Sequence, residues 1–200
     1  MSFKMKHIYK KGSSETIILL HGTGGDETDL IPLANMIEEE ASILSIRGNV
    51  LEQGMPRFFK RIAMGVFDME SLKNETVNLY DFIQKASKDY DFDLKKATIL
   101  GYSNGANIAI SLLFTYNNPV KRAILLRPMI PTREIKSTSL EDTEVFILSG
   151  KKDPIVPIEH GTWLEKTFKS LKAETSLYTL DTGHGLTQED VNLIRLSMKK

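Results

Sequence analysis

A serine flanked by two glycines is the first candidate nucleophile in this sequence. The segment GYSNG covers residues 101–105 and places Gly101 and Gly105 two positions on either side of Ser103. An apolar run precedes it and a helical pattern follows, which is the setting of a nucleophile elbow. Such a turn is strained and crowded, so glycine is favoured at both flanking positions. We therefore predict that Ser103 is a nucleophile at the start of a helix, where backbone N–H groups favour a developing oxyanion.

A serine hydroxyl is too weakly acidic to attack unaided and needs a base. The chain has four histidines, and His184 lies in the glycine-flanked segment DTGHGLTQED, between the last predicted strand and the last predicted helix. His7 lies in a basic N-terminal segment and His160 early in a predicted helix, where solvated or capping roles are the simpler interpretation. We predict that His184 is the base.

The carboxylate that would orient this base is expected in the loop after the preceding strand. Asp153 follows the apolar run 145–148, in a turn fixed by Pro154. Asp142 precedes that strand and so belongs to the opposite end of the sheet. Asp181 is closer to His184 in sequence, but adjacency along the chain does not align a carboxylate with Nδ1. The favoured order is therefore serine, Asp153, His184, which is the order in α/β-hydrolases.

A glycine-rich loop after an early strand could complete an oxyanion hole. In ILLHGTGGDETDL the strand ends at Leu20, and the loop lets the backbone approach the serine closely. We expect the donors to be the backbone N–H groups of Thr23 and Asn104. A phosphate-binding loop is disfavoured, because the segment lacks both the Lys-Ser/Thr of a P-loop and the dinucleotide-binding spacing. We interpret His21 as a structural support, and Asp26 and Asp29 as helix caps.

The elements that must position these residues alternate between strand and helix. Short apolar runs predict buried strands, whereas recurrences such as Leu79, Phe82, Ile83 and Ala86 predict amphipathic helices. A final helix over 187–198 begins with a capping-type TQED. The fold class is therefore α/β, with a mostly parallel central sheet and helices on both faces. Residues 3–10 could add an antiparallel edge strand, and the predicted strands are 16–20, 42–46, 98–102, 122–126, 144–148 and 175–180.

The composition excludes several functional classes. The chain has 200 residues and 41% hydrophobic residues, which favours one domain over 1–200. Its 26 basic residues balance 26 acidic ones, so nucleic acid is an unexpected partner. It contains no cysteine, which excludes disulfides and thiolate sites. Neither a signal peptide nor a membrane-spanning run is evident, so we expect a cytoplasmic protein without integral membrane association. No cofactor and no metal are predicted.

The segment 47–73 is the longest stretch without clear periodicity, and such loops are often functional. We predict that a substrate cleft is lined by Met55, Phe58, Phe59 and Met129, although these side chains could instead fill the core. Arg57 and Arg127 could contact the substrate or could equally form ion pairs on the surface. We therefore do not assign them as substrate-binding residues. The interval between the strands at 122–126 and 144–148 is too short for a cap domain, so the site should be open.

Five segments together resemble the phospholipase/carboxylesterase family of α/β-hydrolases, which also includes acyl-protein thioesterases. They are LLHGTGGDETDL, SIRGNVLEQGMPRFF, GYSNGANIA, SGKKDPIVP and GHGLTQED. More narrowly, the chain is similar to the bacterial hydroquinone-stress hydrolases, known as carboxylesterases. The resemblance implies a triad of Ser103, Asp153 and His184, with Thr23 and Asn104 forming the oxyanion hole. Members of that branch often carry histidine before Pro-Met-x-Pro, where this chain has arginine, so substrate preference could differ.

The function expected from these features is hydrolysis of small or medium carboxylic esters or thioesters through an acyl-enzyme. A lysophospholipase remains an alternative, as does a catalytically silent binding module. Dienelactone-type enzymes typically use cysteine, which this chain lacks, and peptidases of this fold usually need a cap. The expected partner is a small-molecule ester, and a homodimer is possible.

Overall fold

Seven strands form the central sheet of the protein, which we describe from a computed structural model over residues 5–199. A short 3-10 helix covers Leu94–Lys96. In chain order, the other elements are β1 (His7–Lys10), β2 (Thr16–Leu20), α1 (Ile31–Ile37), β3 (Ser42–Ile46), β4 (Val50–Glu52), β5 (Met55–Arg57), β6 (Arg61–Ala63), β7 (Val66–Phe67), α2 (Met69–Asp89), β8 (Thr98–Tyr102), α3 (Asn104–Thr115), β9 (Arg122–Leu126), β10 (Glu144–Gly150), α4 (Glu159–Ser170), β11 (Glu174–Leu180) and α5 (Gln188–Met198).

The strands of the central sheet run in the order β1-β3-β2-β8-β9-β10-β11, and all pairs except β1 with β3 are parallel. The predicted strands 16–20, 42–46, 98–102 and 122–126 are confirmed with the same bounds. β10 continues to Gly150 and β11 begins at Glu174, each beyond its predicted limit. Because parallel strands are covered on both faces, their apolar runs carry a strong signal in the sequence.

The predicted edge strand is present but shorter than the 3–10 expected from the sequence. β1 covers His7–Lys10 and pairs antiparallel with β3, whereas residues 3 and 4 lie outside the described residues. The amide of Arg47 donates to the carbonyl of Lys6 at 2.8 Å, so backbone pairing continues one step past the strand.

Helices cover both faces of the sheet and divide the core into two layers. On one face α2, α3 and α4 pack over a cluster that includes Ile18, Leu125 and Ile147. On the other, α1 and α5 pack over Ile17 and Phe146 with their neighbours. The α/β class predicted from the sequence is confirmed. In the part of the chain described, no helix is long and apolar enough to cross a membrane.

The N-terminal cap predicted from the sequence is present at α5 but not at α1. Thr187 and Asp190 form the capping box expected from TQED. At α1 no side chain caps the N-terminus, so the prediction for Asp26 and Asp29 is wrong. Asp26 instead accepts hydrogen bonds from the amide and hydroxyl of Thr28, at 2.8 and 2.6 Å. This local turn satisfies the carboxylate before the helix begins.

The segment without periodicity folds into two small hairpins that precede α2. β4 and β5 are joined by Gln53 and Gly54, both at positive φ, which matches the tight turns that suit a hairpin. β6 and β7 are joined through Gly65, also at positive φ. Strands of two or three residues are too short to show a period, which explains why the sequence pattern missed them.

Two of the predicted cleft residues lie in the core instead. Phe58 and Phe59 are 0% exposed and belong to the cluster beneath α2 and α3. The ring of Phe59 packs edge-on against Phe67 at 5.1 Å, and that of Phe58 lies 4.9 Å from His21. The prediction that these phenylalanines line the cleft is therefore wrong, because the chain after β5 passes under the site and uses them to anchor the hairpins.

Candidate active site

Ser103 occupies a strained turn between β8 and α3. Its backbone has φ 51° and ψ −110°, a conformation that costs about 1–3 kcal/mol for a residue with a side chain. The amide of Ser103 donates to the carbonyl of Leu126 at 2.9 Å, which fixes the turn to β9. A Cβ on Gly105 would lie 2.0 Å from the carbonyl oxygen of Leu20, and one on Gly101 would lie 2.6 Å from that of Gly105. Only glycine fits at these two positions.

The side chains of Ser103, His184 and Asp153 form a chain of two hydrogen bonds through the imidazole. His184 Nε2 is 3.0 Å from Ser103 Oγ, and its Nδ1 is 2.7 Å from Asp153 Oδ2. The other oxygen of Asp153 accepts from the amides of Ile155 and Val156 at 2.8 and 3.0 Å. The carboxylate side chain is 1% exposed, against 17% for the imidazole. These bonds hold the carboxylate in place and favour a His184 tautomer with its proton on Nδ1.

The competing acid and base candidates have other partners. Asp181 is exposed and forms an ion pair with Lys152 at 2.9 Å, and the hydrogen bond from that lysine lowers the pKa of Asp181. His21 Nδ1 donates to the carbonyl of Gly22 at 2.6 Å, while its Nε2 accepts from the amide of Gly48 at 3.0 Å. Burial lowers the pKa of His21. Both ring nitrogens are thus used to hold the loop, in keeping with the structural role expected from the sequence.

The other two histidines are not simply solvated. His160 Nδ1 accepts from the amide of Ile130 at 2.9 Å and so holds the loop that follows β9. Burial lowers the pKa of His160. His7 Nε2 lies 2.7 Å from the hydroxyl of Tyr90. The interpretation of these residues as solvated or capping is corrected: each ring bonds to a part of the chain distant in sequence.

Two backbone amides beside Ser103 are free to donate. Among residues 5–199, neither the Thr23 amide nor the Asn104 amide has a hydrogen-bond partner. The side chain of Asn104 is turned away from this role, because its Oδ1 accepts from the buried amide of Phe58 at 2.8 Å. The hydroxyl of Thr23 accepts from Arg57 Nη1 at 2.7 Å. Both loops are therefore tied to the segment that includes β5.

The loop that carries His184 is held by Arg127, a residue whose structural role the sequence did not reveal. Arg127 is fully buried, and its Nε and Nη2 donate to the carbonyls of Gly183 and Gly185 at 3.0 and 3.1 Å. Its Nη1 and Nη2 also contact the two carboxylate oxygens of Asp190 at 2.8 and 2.9 Å. Tyr102 adds a bond from its hydroxyl to the carbonyl of His184 at 3.1 Å.

The interpretation of Arg127 as part of a surface ion pair is therefore wrong, and Arg57, whose partner is Glu52, is buried as well. Arg127 has φ 51° and directly follows β9, so its side chain turns inward toward the loops at the carboxyl end of the sheet. An arginine at the end of a fully buried strand was the only signal in the sequence. Its partner, Asp190, was visible only as a capping residue 63 positions away.

A cleft of about 390 Å³, including open solvent at its mouth, lies over Ser103. Of the predicted lining residues, Met129 is present, whereas Met55 packs against Gly24 and lies outside the cleft lining. Met55 was misassigned because it belongs to β5, whose hairpin is attached to the loop after β2 by a hydrogen bond from the Gly24 amide to the Pro56 carbonyl. The cleft side chains, in addition to Ser103 and Met129, are Thr23, Arg57, Arg61, Met64, Phe67, Asn104, Asn107, Arg127, Ile155 and Val156.

The topology and the position of the serine turn define the class of this protein as an α/β-hydrolase. The family model for phospholipases and carboxylesterases matches residues 7–200, and the chain belongs to that family. It is 46% identical over 192 residues to MhqD of Bacillus subtilis (strain 168), a protein named as a hydrolase, with 96% of each chain covered. The family resemblance stated from the motifs is confirmed.

Solved structures agree with this assignment. A Bacillus cereus carboxylesterase is 44% identical and superimposes with a TM-score of 0.94, covering 98% of this chain and 93% of its own. YahD, solved with malic acid, is 32% identical with a TM-score of 0.91, covering 98% of both chains.

Proposed function

We propose that the protein is a serine carboxylesterase in which Ser103 is the nucleophile, His184 the general base and Asp153 the residue that orients the base. The observation that carries this proposal is the pair of contacts at His184, 3.0 Å to Ser103 Oγ and 2.7 Å to Asp153 Oδ2. Hydrogen bonds of this length on both sides of an imidazole are the geometry that activates a serine. Membership of the family supports a hydrolase of this class.

The first half of the reaction is acylation of the serine. His184 Nε2 takes the proton from Ser103 Oγ as the oxygen attacks the ester carbonyl carbon. The carbonyl oxygen becomes an oxyanion, which the free amides of Thr23 and Asn104 stabilise by hydrogen bonds. The imidazolium is stabilised by Asp153 and returns its proton to the leaving alcohol. The products of this half are an acyl-serine and the alcohol.

The second half uses the same groups for water. His184 takes a proton from a water molecule, which attacks the acyl carbon, and the same amides stabilise the second oxyanion. Collapse of this intermediate returns the proton to Ser103 Oγ and releases the carboxylic acid. The whole cycle consumes one ester and one water molecule.

Small or medium esters are the substrate class that we propose for this cleft. The solved relative YahD was studied with malic acid, a small organic acid. This supports a substrate whose acid portion is of comparable size.

Replacement of the serine tests the proposal. We expect Ser103→Ala to lose hydrolysis of short 4-nitrophenyl esters and labelling by a fluorophosphonate, with an unchanged circular dichroism spectrum. Ser176→Ala on the edge strand β11 is the matched control and should keep both activities. Full activity in Ser103→Ala would contradict the triad. Absence of fluorophosphonate labelling in the wild type would favour a silent binding module.

A further inference from the structure

Two arginines at one wall of the cleft share a single acidic partner. Arg57 and Arg61 both line the cleft that contains Ser103. Arg57 Nε lies 3.2 Å from one carboxylate oxygen of Glu52, and Arg61 Nε lies 2.6 Å from the other. Two cations against one carboxylate leave one net positive charge at this wall.

The other charged groups around the cleft do not neutralise this excess. Arg127 is paired with both oxygens of Asp190 and contributes no net charge. The Asp153 carboxylate is not part of the cleft lining and is held by His184 and by the amides of Ile155 and Val156. No acidic side chain of the described chain lines the cleft itself. The positive charge near Arg57 is therefore open to an anion that enters from solvent.

The guanidinium of Arg57 is also incompletely satisfied. The residue is 3% exposed, its Nε donates to the carbonyl of Phe59 at 3.2 Å, and its Nη1 donates to the hydroxyl of Thr23. Its Nη2 makes no hydrogen bond to residues 5–199 and is available to a ligand in the cleft. Burial lowers the pKa of Arg57, although the Glu52 carboxylate opposes this effect. Buried charges are stabilised by ion pairing, so an additional anion at Nη2 would be favoured.

The position of Arg57 relative to Ser103 determines which part of a substrate the arginine could bind. Arg57 contacts the side chain of Thr23, and the backbone amide of that residue is a proposed oxyanion donor. A group bound by Arg57 is therefore one side chain away from the scissile carbonyl. Planar guanidinium groups match the two oxygens of a carboxylate, and a single net positive charge matches a single carboxylate.

The geometry points to a carboxylate subsite formed by Arg57 and Arg61, and to substrates that are esters with a free carboxylate near the scissile bond, such as half-esters of dicarboxylic acids. This inference rests on the proposed esterase function and specifies its substrate class. The reaction remains hydrolysis: the half-ester and water yield a dicarboxylic acid and an alcohol. The carboxylate itself is not altered and serves only to orient the ester against Ser103.

A pair of esters that differ only in charge tests the inference. The first is the mono-4-nitrophenyl ester of adipic acid, and the second is its neutral analogue with a carboxamide in place of the carboxylate. We expect the wild type to prefer the anionic ester in kcat/KM by about tenfold or more, the size typical of a hydrogen bond to a charged group. Equal rates, or a preference for the neutral ester, would overturn the subsite.

Three arginine variants locate the preference. Arg57→Gln and Arg61→Gln should each reduce the anionic-to-neutral ratio toward one, and Arg57→Lys should retain an intermediate ratio because it keeps the charge but not the planar fork. Arg195→Gln removes one charge on α5, where Arg195 donates to the carbonyl of Met36, and should leave the ratio unchanged. The anionic-to-neutral ratio distinguishes loss of carboxylate binding from structural damage. A displaced oxyanion loop would lower kcat/KM for both esters equally and leave the ratio unchanged.

Each failure has a distinct result. If Arg57→Gln does not fold, Arg61→Gln decides, since Arg61 is partly exposed at the rim. An unchanged ratio in the folded arginine-to-glutamine variants overturns the assignment. If the wild type hydrolyses neither ester, that result contradicts the esterase function instead. In that case the subsite is tested by calorimetry, which compares the binding of monomethyl adipate and of its neutral amide to Ser103→Ala. The subsite is rejected if the anion binds no more tightly than the amide.

Discussion

Arg127 and Asp190 form a bidentate ion pair in which both side chains are 0% exposed. The arginine follows β9 and the aspartate lies in the first turn of α5, so the pair joins the end of β9 to the helix that follows the His184 loop. One oxygen of Asp190 also accepts from the amide and hydroxyl of Thr187. The pair therefore links the helix cap, the loop and the sheet.

We predict that Asp190→Asn destabilises the protein strongly. The substitution leaves the guanidinium of Arg127 buried without its carboxylate, and breaking a buried pair in this way costs roughly 3–5 kcal/mol. Urea unfolding gives the free energy of unfolding directly. Lys85→Gln is the control, since it removes half of an exposed pair with Asp89 and should cost less than about 0.5 kcal/mol. A loss for Asp190→Asn no larger than the control would contradict the argument.

A second prediction concerns the position of His184. Arg127→Lys keeps a positive charge but cannot contact Gly183, Gly185 and Asp190 at once. We expect kcat for a short ester to fall about 10- to 100-fold with little change in KM, as is typical when a supporting residue lets a reacting group move. Both constants are measured by steady-state kinetics at a temperature well below that at which the variant unfolds. A rise in KM with unchanged kcat would instead indicate that Arg127 binds substrate.

The side chain of Asn104 should matter for stability more than for catalysis. Asn104→Ala leaves the buried amide of Phe58 without its acceptor, which costs about 1–3 kcal/mol, but keeps the backbone N–H of residue 104. We therefore expect kcat to fall far less than in Ser103→Ala. Asn104→Asp retains an acceptor oxygen and serves as the comparison for stability. Equal losses of kcat in Asn104→Ala and Ser103→Ala would argue against the backbone assignment.

Acid should destabilise the fold partly through His21. Its pKa is lowered in the folded state, chiefly by burial, from an ordinary value of 6.5. The unfolded chain therefore binds the proton more readily, so this contribution is fully present above pH 6.5 and is lost as the pH falls below it. We expect the free energy of unfolding to decrease between about pH 7 and pH 5, by at most about 1.4 kcal/mol per pH unit for this group.

The His21 contribution is isolated by substitution. His21→Asn removes the titrating group, and its free energy of unfolding should change less over the same pH interval than that of the wild type. His160 has a pKa lowered by burial as well and contributes in the same direction. An identical pH slope in His21→Asn and the wild type would show that His21 is not responsible.

The sequence alone predicted the parallel strands of the sheet and supplied the candidate site residues. Fully buried parallel strands appear as unbroken apolar runs, so β2, β3, β8 and β9 were predicted with the bounds that the structure has. The glycines around Ser103 were equally informative, because a Cβ at Gly105 would overlap the backbone of β2. Such features depend on local sterics and on period, which a single sequence carries.

Only the tertiary structure decided which side chains surround the serine. Phe58 and Phe59 looked like cleft residues by type, but the path of the chain after β5 places them in the core. Arg127 and Asp190 are 63 positions apart, and no local sequence pattern around either residue predicts their contact. Pairings of this kind depend on where loops from different strands meet at one edge of the sheet. The sequence thus determined the scaffold and the candidate chemistry, whereas packing between distant segments determined the charge and shape of the cleft.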